Sequence, residues 1–338
     1  MKQMPQMVAT PPSALAGISP ERRMALAAPA LSVVVAVYNE EGNILLLDAE
    51  IKEAVGKITP SFEVIYVNDG STDGTLAELR KLSGVTVIDL NRNYGQATAF
   101  DAGFKAASGE IVASLDGDLQ NDPKDIALLL AKMRAENLDV VAGWRRSRQD
   151  KGGIRVLTRI GMVLRRLLIN DKVHDSGCTL RVYKREAVKS LDIGGEMHRY
   201  ILALLRWKGF TIGEVVVNDR PRVFGKSKYN YTKAVRGFID LIHIWFIHKY
   251  SQRPLHLFGY LSIGSGFLGV LAGGWTLYGK FFLNTSLNRN GWFFITFFLL
   301  MSCFFFFTAG VMTDLIIRTQ MNTSPYERRY YVRSVSKL

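Results

Sequence analysis

Asp116 and Asp118 flank a glycine in LDGDLQNDP, residues 115–123. Gly117 lets the chain bend, so both carboxylates can approach one ion. Oxygen ligands select a hard cation such as Mg2+ or Mn2+. A cation of this kind binds through one or two carboxylates and fills its shell with substrate phosphates, which suits a diphosphate leaving group. Two acids in a turn are, by themselves, more often solvated loop residues. Position raises the metal reading here, because the pair ends an apolar strand and Asp69 ends another.

Those strands are legible from their composition. LSVVVAVY (31–38), FEVIYVND (62–69), VTVIDL (85–90), EIVASLD (110–116) and DVVAG (139–143) are short apolar runs. Helical stretches at 43–57, 96–107 and 123–135 alternate with them, and Thr72 and Asp73 are placed to cap another helix after the second strand. Apolar strands alternating with helices predict an α/β fold, a mostly parallel sheet covered on both faces. Ligands in such sheets bind at the carboxyl ends of the strands. Asn39-Glu40, Asp69 and Asp116-Gly117-Asp118 all fall at such ends. The first strand leads into YNEEGN and not into G-x-G-x-x-G, which argues against a dinucleotide oxidoreductase.

The rest of the chain reads as membrane-associated. Leu257–Gly279 and Trp292–Ile317 are apolar runs, each long enough to span a bilayer. Lys249, Arg253 and His256 precede the first run, and Arg318, Arg328, Arg329, Arg333 and Lys337 follow the second. The turn between them holds only Lys280 and Arg289, so the positive-inside rule predicts cytoplasmic flanks. Before the spans, Tyr231, Val235, Phe238, Leu241, Ile242, Trp245 and Phe246 recur at helical spacing beside basic residues. This suits an amphipathic interfacial helix over 229–254, or else a helix packed on the soluble part. In residues 1–30, Pro5, Pro11, Pro12 and Pro20 interrupt every candidate apolar core, so the segment reads as a disordered tail. The predicted order is therefore tail 1–30, catalytic domain 31–228, interfacial helix 229–254, two-helix hairpin 255–317 and basic tail 318–338.

The 43 Lys+Arg against 30 Asp+Glu give a net charge of +13. No zinc-finger, RNA-recognition or basic-zipper pattern accompanies that charge, so nucleic acid is not the expected partner. The basic residues gather near the spans, which points to phosphates and lipid headgroups. Cys178 and Cys303 lie far apart, one in the soluble part and one in an apolar run, so a disulfide framework is not expected.

AVYNEE (36–41), VNDGSTDGT (67–75), NYGQATAFDAGF (93–104), LDGDLQNDP (115–123), DSGCTLRVYKRE (175–186) and RVFGKSKY (222–229) stand in an order that resembles the family 2 glycosyltransferases. More narrowly, residues 31–320 resemble the polyprenyl-phosphate hexose transferases, with two terminal spans like the bacterial bactoprenol type. The resemblance implies a GT-A fold, inversion at the anomeric carbon, and a nucleotide-diphosphate sugar and a polyprenyl phosphate as substrates. It implies an integral protein of a bacterial inner membrane, with catalytic domain and termini cytoplasmic, and leaves room for a homo-oligomer. Glucose from UDP-glucose is the first donor it suggests and mannose from GDP-mannose the second; no residue decides between them.

Residue by residue, the resemblance carries Tyr38, Glu40, Asp69, Gln96 and Asp116 over as nucleotide-sugar contacts. Asp116, Asp118 and Gln120 are carried over as ligands of Mg2+ or Mn2+. A phosphate monoester is largely dianionic at neutral pH, since its second pKa is near 6. Its difficulty is approaching an anionic donor, so the acceptor side must offer cations. Arg145, Arg148, Arg155 and Arg159 form one basic stretch, and Arg222, Lys226 and Lys228 another. The resemblance puts acceptor-phosphate contacts in both; lipid headgroups are the alternative for several of them. Arg159 stands where relatives often have Ser, with Thr158 beside it, a local departure. Asp175 is carried over as a catalytic base or orienting acid, against a loop acid pairing with Arg181. Arg155 and Asp118 complete the expected catalytic set. His174 and His198 suit structural roles better than acid–base ones. A processive polysaccharide synthase is a competing class, but its Q-x-x-R-W block is absent. A non-enzymatic membrane adaptor would leave the ordered acidic blocks unexplained.

Overall fold

The computed structural model describes residues 29–146, 168–169, 173–195, 197–221, 241–246, 249–250, 253–283, 286, 291–323 and 332–337. They fall into two compact units.

The first unit is an eight-stranded mixed sheet in the order β7-β5-β6-β4-β1-β2-β3-β8. Its strands are β1 Leu31–Val37, β2 Phe62–Asn68, β3 Val85–Leu90, β4 Ile111–Asp116, β5 Val140–Trp144, β6 Arg181–Lys184, β7 Ile212–Val216 and β8 Val332–Lys337. The central strands β4, β1, β2 and β3 run parallel. β6 is antiparallel to both β4 and β5, and β8 is antiparallel to β3. Period-two alternation along β1 sends Val33, Val35 and Val37 to one face and Val34 and Ala36 to the other. The first face packs on α1 (Ile44–Gly56), α2 (Thr75–Leu79) and α4 (Ile126–Ala135) through Ile44, Leu47, Ile51, Leu79 and Leu129. The second packs on α3 (Gln96–Ala106), α5 (Arg185–Lys189) and α6 (Ile201–Trp207) through Phe100, Phe104, Val188 and Leu205. Burying both faces explains why these strands read as unbroken apolar runs.

The chain passes from β1 outward through β2 and β3, then returns to lay β4 on the other side of β1. That reversal opens a crevice between the carboxyl ends of β1 and β4, the place where open α/β sheets bind ligands. The sequence reading ended in a basic tail at 318–338. The structure turns its last residues into β8, whose partner is the outer edge of β3.

The second unit is built on α7 (Pro254–Phe282, 29 residues) and α8 (Gly291–Thr323, 33 residues). At 1.5 Å per residue these are roughly 43 and 50 Å long, more than the ~30 Å hydrocarbon core of a bilayer. Small residues line the seam between them. A Cβ on Gly266 would sit 3.0 Å from the Cys303 Sγ, one on Gly269 3.0 Å from Leu300 Cδ2, and one on Gly310 2.9 Å from Phe258 Cβ. The Ser262 hydroxyl donates across the seam to the Cys303 carbonyl at 2.9 Å. Phe267, Phe281, Phe298 and Phe305 point outward and are exposed. Apolar outside and small residues inside is the pattern of helices that pack in lipid. Residues 241–246 are helical with Leu241 and Ile244 buried; most of the expected interfacial helix lies outside the described residues.

Candidate active site

Each acidic block is positioned by the end of a strand. β1 ends at Val37, and Asn39 follows at φ +54°. Its side chain accepts the Thr72 amide at 2.8 Å, tying the turn after β1 to the turn after β2. β2 leads into Asp69 and Gly70. Gly70 has φ +64°, and a Cβ there would lie 2.3 Å from the Arg92 carbonyl carbon. Glycine therefore allows the 91–95 loop to close down. That approach brings the Tyr94 and Gly95 amides to the two Asp69 oxygens, at 2.8 and 2.9 Å. Burial pushes the Asp69 carboxyl up, and those two amides pull it back.

β4 ends on Asp116. The Gly117 amide donates to the Ala36 carbonyl at 3.2 Å, and a Cβ on Gly117 would meet Val37 Cγ1 at 2.7 Å. Only glycine fits between the two strand ends. Leu119 follows at φ +62°, a left-handed conformation unusual for a leucine. Local strain of this kind, about 1 kcal/mol or more, persists where the surroundings over-determine it, commonly at functional sites. It turns Asp118 back into the fold, where its Oδ1 accepts the Gln120 amide at 3.1 Å. Asp73 does take part in starting α2: its Oδ1 accepts the Thr75 amide at 3.0 Å, with Gly74 as the capping position.

Tyr38, Glu40, Asp69, Gln96, Asp116 and Asp118 all line one cavity of about 280 Å3 at this crevice. Gln120 is not among its lining residues. The loop residues Asn93 and Gly95 and the helix residue Ala99 also line it. They sit inside the NYGQATAFDAGF block, whose small residues at the start of α3 were the available signal.

The cavity is strongly acidic. Asp116 accepts a hydrogen bond from the Gln96 Nε2. Its carboxyl is raised to about 7, by burial first and by the Asp118 charge second; the Thr179 hydroxyl, Arg145 and Gln96 offset part of this. Among the described residues, no group of three or more His, Cys, Asp or Glu converges as a metal cluster. Two crowded carboxylates at this crevice nevertheless match a hard cation that draws its other ligands from substrate phosphates. A divalent cation there would relieve the repulsion that raises Asp116.

Arg145 follows β5 and is held by Asp175. Its Nε donates to Asp175 Oδ2 at 2.8 Å and its Nη2 to Oδ1 at 3.2 Å. Asp175 does not pair with Arg181. That guanidinium is buried and donates instead to the carbonyls of Cys178, Ser176 and His198. His174 is pinned by Glu214, its Nδ1 lying 2.8 Å from Oε2, and it stacks on Trp144. Arg148, Arg155, Arg159, Arg222, Lys226 and Lys228 lie outside the described residues.

A mixed sheet, parallel at its centre, with an acidic strand-end pair at its switch point is a GT-A-type architecture. Residues 32–192 match the glycosyl transferase family 2 model. A dodecaprenyl-phosphate galacturonate synthase of Rhizobium johnstonii is 34% identical over 90% of this chain and 92% of its own length. An undecaprenyl-phosphate 4-deoxy-4-formamido-L-arabinose transferase of Serratia proteamaculans is 35% identical over 70% of this chain and 74% of its own. Among solved structures, a glucosyl-3-phosphoglycerate synthase from Mycobacterium tuberculosis with Mg2+ and uridine diphosphate superposes with a TM-score of 0.51 at 20% identity, over 70% of this chain and 81% of that one. The chain belongs to the polyprenyl-phosphate glycosyltransferases of family 2.

Proposed function

We propose that the enzyme transfers a hexuronosyl group from a uridine-diphosphate sugar to a polyprenyl phosphate, with inversion, at the cytoplasmic face of a bacterial membrane. The relative that spans nearly the whole chain makes a polyprenyl-phosphate galacturonate, and this favours a uronic acid over the glucose suggested by the two spans. The observation that carries the reading is the single cavity at the β1–β4 switch point, lined by six of the residues expected to meet the donor and its metal.

Tyr38, Glu40 and Asp69 line the cavity where the nucleoside end of the donor would lie. Asp116 and Asp118 would hold Mg2+ or Mn2+, with Gln120 proposed as a further ligand. When bound, the cation neutralises charge on the departing pyrophosphate. Gln96 and Thr179 hold the Asp116 carboxylate at the cavity. The acceptor arrives with its nucleophilic oxygen already ionised, so holding it in line matters more than removing a proton. Arg145 supplies a planar donor suited to phosphate. The remaining basic residues of 145–159 and 222–228 are proposed to share that anion with lipid headgroups.

The charge asymmetry around the spans supports cytoplasmic flanks. β8, a strand that follows both spans and joins the catalytic sheet, supports both flanks lying on one side of the membrane.

A panel of labelled UDP-galacturonate, UDP-glucose and GDP-mannose with undecaprenyl phosphate tests the assignment. Chloroform-extractable label from UDP-galacturonate is expected. Label from UDP-glucose alone would replace the sugar, and label with none of the three would overturn the reading.

A further inference from the structure

Asp175 presents both oxygens to donors. Oδ1 accepts Arg145 Nη2 at 3.2 Å and the Gly177 amide at 3.0 Å, and Oδ2 accepts Arg145 Nε at 2.8 Å. The two side chains are largely buried, at 14% and 9% exposed. A carboxylate committed in this way is poorly placed to take a proton. The acceptor does not require one: a phosphate monoester is already mostly dianionic at pH 7. What the reaction needs is a guanidinium held rigidly enough to receive that dianion.

The Asp175 grip is one-sided. It uses the Nε–Nη2 edge of Arg145, and among the described residues Nη1 has no hydrogen-bond partner. A guanidinium carries five donors in a fixed fork, so clamping one edge sets the direction of the other. Asp175 is itself set from β7. Glu214 accepts the His174 amide at 2.9 Å and the Asp175 amide at 3.4 Å, and its second oxygen lies 2.8 Å from His174 Nδ1. Glu214 pairs in register with Ala142 of β5, so the support stands on the strand hydrogen-bonded beside the one that delivers Arg145. The His174 ring stacks on Trp144 at 4.4 Å, closing the arrangement beside Arg145.

We propose that Asp175 is a positioning residue rather than a base: backed by Glu214, it aims the free Nη1 edge of Arg145 at the acceptor phosphate. This rests on the polyprenyl-phosphate acceptor reading above.

Steady-state transfer from labelled donor to undecaprenyl phosphate in detergent tests it, using the full chain. Asp175→Asn is expected to raise KM for the lipid roughly tenfold, with kcat falling less than about threefold and the pH profile keeping its shape. Arg145→Ala should raise the same KM at least as much. The double variant should be no worse than Arg145→Ala, because Asp175 would act only through Arg145. A kcat loss of about a thousandfold with unchanged lipid KM, or losses that multiply in the double variant, would overturn the proposal in favour of a base. If Asp175→Asn does not fold, Glu214→Gln takes its place. It should raise lipid KM about threefold, and an unchanged lipid KM would count against the relay. Absence of transfer by the unsubstituted enzyme would instead refute the acceptor reading, which keeps the two failures apart.

Discussion

Gly117→Ala is the sharpest structural test of the acidic pair. The added Cβ would stand 2.7 Å from Val37 Cγ1 and 3.4 Å from Glu40 Cγ. Carbon–carbon contacts are comfortable at about 3.5–4.0 Å, so the overlap with Val37 is roughly 1 Å. Val37 is buried in the core and cannot swing away. The backbone between Asp116 and Asp118 must move instead. Overpacking of this kind costs about 1–3 kcal/mol of stability. A displacement of about 1 Å in a positioned group costs on the order of a hundredfold in rate, equivalent to ~2.7 kcal/mol. The assay pairs thermal melting with a Mg2+ titration of transfer. The variant should melt lower, need more Mg2+ for half-maximal rate and turn over about a hundredfold more slowly. Gly56→Ala is the matched control: it ends α1, and its new Cβ would meet nothing within 4 Å. If Gly117→Ala kept both rate and Mg2+ dependence, the close approach of the β1 and β4 ends would not be what sets the carboxylates.

Two further predictions concern stability. His198 is pushed down to about 3, by burial first and by Arg199 and Arg181 next, and its Nδ1 has no partner among the described residues. The unfolded chain takes up a proton below about 6.5 while the folded one refuses it, so this contribution is complete above 6.5 and is lost as pH falls toward 3. Melting at pH 5 should show a loss of about 2 kcal/mol relative to pH 7 that His198→Asn abolishes; equal pH slopes in the two proteins would contradict it. Removing residues 332–338 uncovers the β3 edge that β8 now pairs. The truncated enzyme should melt lower and self-associate on size exclusion, because an unpaired edge strand is a template for another chain; a monodisperse protein of unchanged melting temperature would refute this.

The parts of the fold legible in the sequence are those governed by continuous burial. β1 to β4 were expected within one residue of where they stand, because strands covered on both faces are predominantly apolar along their length. β6 was missed. It is four residues long and opens on Arg181, whose buried guanidinium is satisfied by carbonyls that only the tertiary fold supplies. β8 reads as VRSVSK, a polar edge strand whose only sequence mark is weak alternation, and its partner lies some 250 positions earlier. The acidic crevice was legible because its acids fall at strand ends. The Arg145–Asp175–Glu214 arrangement was not, because it joins three separate segments through charges that look interchangeable in the sequence. Asp175 stood equally well as a base or as a partner for Arg181 until the geometry paired it with Arg145.

Sugar transfer to the lipid phosphate is proposed to need a divalent cation held by Asp116 and Asp118. Single-turnover transfer to undecaprenyl phosphate by enzyme stripped with EDTA measures it directly. Loss of chloroform-extractable product, restored by Mg2+ or Mn2+ in the unsubstituted enzyme but not in Asp116→Asn, is the expected result. Undiminished transfer by the stripped enzyme would contradict it.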